Sequence, residues 1–228
     1  MKKHILQLDY LKSIFIILMI LFHLVYIGDT YPYLKKVVYT FHMPIFLILS
    51  GYLSRTDKSV KQFFVSFWWL FLPYSIMELG YVQVASIIPV REHIGDLSIV
   101  NIIRTILIEP VGPYWYLHTL LLCRIVHFSI VRLFQQKLDD FGLLIILGLC
   151  FWGISQVVGL IVFSYSMFFW VGVSLRVLNF DFLTWFSPSA WSAVPLVALC
   201  CFPENIGGFN LAGCAIVYLM VSILRWAY

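Results

Sequence analysis

Charge is scarce in this sequence. Only 11% of its 228 residues are Asp, Glu, Lys or Arg, where a soluble globular domain carries about 25%. A soluble globular domain is therefore excluded. The net charge of +4 comes from Lys and Arg spread along short loops. With no basic patch, no nucleic-acid partner is expected. The five cysteines, Cys123, Cys150, Cys200, Cys201 and Cys214, fall in or beside apolar segments with no CxxC and no His at ligand spacing. That pattern argues against a disulfide framework or a zinc site, and no metal is expected. No small-residue cleavage site follows the first apolar segment, so that segment is expected to stay in the mature protein. Internal repeats, low-complexity tracts and linkers are absent too.

The chain is instead 62% hydrophobic and 18% aromatic, with a mean hydropathy of +0.94. Its apolar runs are near 20 residues long, the length of a bilayer-crossing helix and twice that of a barrel strand. These features predict an all-α, polytopic integral membrane helix bundle, folded as one domain over residues 1–228. About eight transmembrane helices are expected, at 5–28, 37–54, 63–88, 114–134, 141–163, 165–178, 189–202 and 209–226. Residues 90–98 read as a polar loop. Segment 99–110, with Arg104 and Glu109, is too short to span and reads as an interfacial or re-entrant helix. With the N-terminus inside, nine Lys and Arg fall on the cytoplasmic side and four on the other. The positive-inside rule thus predicts a multi-pass cell-membrane protein with a cytoplasmic N-terminus.

A charge near the bilayer centre costs about 2.5–3.5 kcal/mol even on the lenient insertion scale, so polar residues within spans should face a cavity or a partner. The first helix carries Asp9, Lys12 and His23. Eleven residues separate Lys12 from His23, which brings them within roughly 20° on one helix face and roughly 16 Å apart along the axis. In the N-in orientation the helix offers a cation towards the cytosol and a titratable base towards the outside. That suits transfer of a group from an anionic cytosolic donor, with His23 activating a hydroxyl. Lipid snorkelling of Lys12 and an interfacial His23 are the plainer alternative. Glu78, His42 beside Pro44, and Glu109 are further candidates for contact with an acceptor. Arg124 and His118 are expected to face the bundle interior, and pairing with a buried acid such as Glu78 is the simpler account of Arg124.

Four elements in order carry a resemblance: Asp9-Tyr10-Leu11-Lys12 with His23, then FHMPIFLILSGYL at 41–53, Pro73-Tyr74, and Tyr114-Trp115-Tyr116-Leu117. FFWVGVSLR at 168–176 is a weaker fifth. The chain resembles the membrane-bound acyltransferase 3 family, in particular its sugar O-acetylase members of the fucose 4-O-acetylase kind. The resemblance implies transfer of an acyl group, usually acetyl from cytosolic acetyl-CoA, to a hydroxyl of a surface or lipid-linked glycan within the lipid bilayer. It makes His23 the catalytic base or acyl relay and puts Lys12 at an Arg position facing the donor. Trp115 becomes an aromatic near the substrate. Where the family carries a basic pair before the helix-3 proline, this chain has Ser66 and Trp69, and Lys58 and Lys61 stand one to two turns earlier as substitutes. About eight helices instead of ten predict a domain shortened at its C-terminus. A non-catalytic homologue is the nearest alternative function and a small-molecule transporter a more distant one.

Overall fold

A computed structural model describes residues 6–88, 98–207 and 210–228. The helices are α1 (Leu6–His23), α2 (Val25–Thr30), α3 (Pro32–Tyr52), α4 (Val60–Ile87), α5 (Ile99–Leu107), α6 (Trp115–Phe134), α7 (Asp140–Gly153), α8 (Phe163–Val177), α9 (Phe182–Trp185), α10 (Ala193–Cys200) and α11 (Leu211–Trp226). There is no strand among the described residues. The chain is an all-α membrane helix bundle, and each segment expected to be helical is helical over most of its length. The loop expected at 90–98 lies, apart from Ser98, outside the described residues.

Boundaries move for local reasons. The first expected helix breaks at Leu24, whose ψ of 117° is extended. The second starts early, at Pro32, because proline is pre-organised for a first helical turn. Ser59 and Gln62 form a reciprocal capping box that starts α4 at Val60. After α7 the chain makes one π turn, Ile154–Val158, and stops at Gly159 with φ 73°. Four stretches are long and apolar enough to cross a membrane: Leu6–His23, Val60–Ile87, Trp115–Phe134 and Asp140–Val158. Helix α3 has 21 residues, a rise of about 31 Å. Lys35, Lys36 and His42 make it more polar, and twelve of its residues are buried, so it is sheltered by protein rather than lipid.

The chain packs as two compact units, Met1–Leu53 with Val171–Tyr228, and Ser54–Trp170. In the first, α3 packs against α1 and α11. Leu8, Leu11, Phe15 and Phe22 form the buried stripe of α1, and Phe15 meets Phe41 and Phe46 edge-on at 6.1 and 6.0 Å. Gly172 of α8 lies so close to α3 that a Cβ there would sit 2.0 Å from the Ile48 carbonyl oxygen. Near the C-terminus, Arg225 donates to the Leu183 and Phe186 carbonyls and, at 3.1 Å, to Gln7 Oε1.

In the second unit, α4 packs on α5 and α6, and α7 on α6. Phe63 and Phe128 stack face to face at 3.9 Å. The Trp170 indole donates to the Leu144 carbonyl at 2.8 Å, pinning the start of α8 to α7.

Candidate active site

His23 is the last residue of α1, one turn beyond Met19, and its Nδ1 lies 2.7 Å from the Met19 carbonyl oxygen. His42 repeats the arrangement in α3, its Nδ1 2.7 Å from the Val38 carbonyl oxygen. A ring nitrogen facing a carbonyl oxygen must carry the proton, so each imidazole keeps its lone pair on Nε2. The Tyr39 ring lies against both, its centroid 5.6 Å from that of His23 and 5.1 Å from that of His42. Its hydroxyl donates to the Phe22 carbonyl at 3.2 Å, holding the aromatic partner of His23 to the end of α1. His42 is 1% exposed, and its Nε2 is buried with no hydrogen-bond partner among the described residues. Lys35 lies 5.8 Å from the Tyr39 centroid and 3.8 Å from Asp29 Oδ1. Lys12, on the same helix as His23, sits 3.4 Å from Asp9 Oδ1.

In the second unit two cations meet at one hydroxyl. Lys58 Nζ is 3.2 Å from Ser66 Oγ, and Arg124 Nη2 donates to the same oxygen at 2.8 Å. Arg124 is half-buried and has no carboxylate partner among the described residues. It does not pair with Glu78. Lys61, in the first turn of α4, is exposed, as is Trp69.

Glu78 is fully buried and accepts from the Val111 backbone N–H at 2.6 Å. One turn earlier Tyr74 donates to the Ile106 carbonyl at 2.8 Å. Together they anchor the segment that leads into α6. Glu109, on that segment, is exposed and accepts from Arg104 at 2.7 Å. Trp115 opens α6 and stacks on Tyr165 with centroids 4.4 Å apart and planes 28° apart. Both rings line a cavity of about 310 Å³.

The acyltransferase domain of the acyltransferase 3 family matches residues 5–228, all but the first four of the chain. The chain belongs to that family. No curated protein and no solved structure matches it. As an acyltransferase 3 chain with helices able to span a bilayer, it is a multi-pass membrane acyltransferase domain. Of the residues singled out from the sequence, the structure gathers His23 with His42 in the first unit and sets Lys12 on the helix of His23. In the second unit it brings Lys58 to Ser66, and it places Glu78 and Glu109 on or against the segment before Trp115. Sequence reading missed Tyr39, although its spacing of three residues from His42 and four from Lys35 puts all three along one side of α3. It also missed the meeting of Arg124 with Ser66, which no local spacing signals across 58 residues.

Proposed function

We propose that the chain is a membrane O-acyltransferase that moves an acyl group, acetyl in the simplest case, from cytosolic acyl-CoA to a hydroxyl of a surface or lipid-linked glycan. The observation that carries this reading is the 2.7 Å approach of His23 Nδ1 to the Met19 carbonyl oxygen. Its Nδ1–H is held by Met19, so Nε2 is left as a base at the end of a membrane-length helix. In the reaction, His23 Nε2 takes the proton of the acceptor hydroxyl while that oxygen attacks the thioester carbonyl. The C–S bond breaks, and His23 returns the proton to the departing thiolate. The Tyr39 ring lies beside the imidazole, tilted 31° to it.

CoA is polyanionic, and the residues present suit it. Lys58 and Arg124 restore in space the cations that Ser66 and Trp69 lack in sequence, Arg124 with a planar fork suited to phosphate oxygens. Lys12 and Lys61 add positive charge at helix starts that the positive-inside count puts towards the cytosol. Arg124 follows Trp115 by nine residues on α6, about 14 Å along the axis. Arg124 and the aromatic cavity thus lie apart along α6, which supports separate approaches for donor and acceptor.

The test is release of free CoA from acetyl-CoA by the purified protein in detergent. Slow release by wild type, abolished in His23→Ala and not rescued by His23→Gln, is the expected result. The neutral side chains at Ser66 and Trp69 favour a second reading, a fold retained without donor binding. Absence of acetyl-CoA binding to the wild-type protein would establish that reading and sink the first.

A further inference from the structure

The cavity beside Trp115 has no charged residue in its lining. What it has is a set of neutral polar groups with hydrogen-bonding capacity to spare. His118 is 4% exposed and gives its Nε2–H to the Leu107 carbonyl at 2.9 Å, which leaves Nδ1 as an acceptor. Thr119, 5% exposed, makes no side-chain hydrogen bond to any described residue, and neither do the Trp115 indole N–H and the Tyr165 hydroxyl. One wall is the stacked Trp115 and Tyr165 pair. The lining also takes in Ile108, Pro110 and residues 159–162, where the chain leaves α7 through the π turn and the left-handed Gly159. π turns are often found at functional sites.

This chemistry selects a ligand. A charged group would lose its hydration with no opposite charge to meet it. A bare hydrocarbon chain would satisfy the ring faces but leave the polar groups dry and unpaired. A ring with C–H bonds on its faces and hydroxyls at its edge satisfies both. At about 310 Å³ the cavity is at the small end of ligand sites, which run from roughly 300 to 1,000 Å³, and holds one such ring. We propose that this cavity seats a single neutral pyranose ring, its face on the Trp115–Tyr165 pair and its hydroxyls on His118 and Thr119. Its assignment to the acceptor of acyl transfer rests on the function proposed above, whereas the binding itself rests on the cavity alone.

The experiment is saturation-transfer NMR on the detergent-solubilised full chain, with methyl α-D-glucopyranoside, methyl α-D-mannopyranoside and octanoate as probes. The expected result is saturation of the ring protons of at least one pyranoside. Thr119→Val and Tyr165→Phe, which keep shape and stacking, should each weaken that probe by about fivefold. Trp191→Phe, at an exposed position outside the cavity, should leave it unchanged. Two outcomes overturn the proposal: no signal from either pyranoside, or an octanoate signal alone, which would assign the cavity to an acyl chain. CoA release by the wild-type protein in the absence of sugar is read separately. Sugar binding without CoA release would keep this site and remove the acyltransfer reading. CoA release without sugar binding would do the reverse.

Discussion

Ser66 Oγ has Lys58 Nζ at 3.2 Å and accepts from Arg124 at 2.8 Å, so the two cations are within about 6 Å of each other. Like charges so placed favour an anion between them. Arg124→Ala should therefore weaken acetyl-CoA binding by about tenfold, the scale of a lost charge-assisted hydrogen bond, and flatten its salt dependence. Titration calorimetry in detergent measures both. Ser66→Arg should not improve binding in the wild type, where it meets Arg124, but should recover it in the Arg124→Ala background. Failure of that rescue would mean the pair does not serve the donor. A second ionic contact lies in the same loop. Asp57 is held below the usual carboxylate range by Arg55, which donates to it at 2.9 Å through Nε and again through Nη2. A depressed carboxyl stabilises above its unfolded value and loses that contribution only as pH falls through its folded one. The exposed pair therefore stays ionised from pH 5 to 8, and Asp57→Asn should leave the pH profile of CoA release unchanged across that range. His23 and Lys12 were legible from sequence because polar side chains stand out in an apolar run. Tyr39 was not, because a tyrosine near a helix end is ordinary in a membrane protein.

At the scale of elements, α8 and α3 meet through Gly172. A Cβ at that position would be 2.0 Å from the Ile48 carbonyl oxygen and 2.8 Å from the Tyr52 nitrogen, backbone atoms that cannot swing aside. Gly172→Ala should destabilise the protein by about 1–3 kcal/mol, the usual cost of overpacking, and lower its melting temperature in detergent. Gly153→Ala is the control, since nothing lies within 4 Å of a Cβ there. Its effect should be near zero or slightly stabilising. Equal losses in both would mean that the close approach is not what requires glycine. Gly172 falls in the segment FFWVGVSLR, so its place in a motif was readable, but the reason for it was not. The helices themselves were largely legible from apolar runs and their breaks. The π turn at Ile154–Val158 and the four-residue α9 were not, since each is shorter than the period that sequence reading relies on.

For the whole molecule, the lysine and arginine distribution predicts sidedness. Reporter fusions after Lys58 and Lys137 should report cytoplasm, and one after Glu204 the outside. A fusion at residue 58 that reports the outside would reverse the orientation and remove the cytosolic donor from the Lys58–Arg124 site. Composition and run length by themselves determined that this is a helical membrane protein, and ordered motifs pointed to the acyltransferase 3 family. Both are carried by the local order of residues along the chain. The tertiary structure alone decided that Arg124 supplies charge at Ser66, that Glu78 holds the Val111 backbone, and that Trp115 and Tyr165 form one wall of a cavity. Those pairings join residues 33 to 58 positions apart. At such separations helix packing chooses the partner, and the side chains carry no local signal of where they will meet.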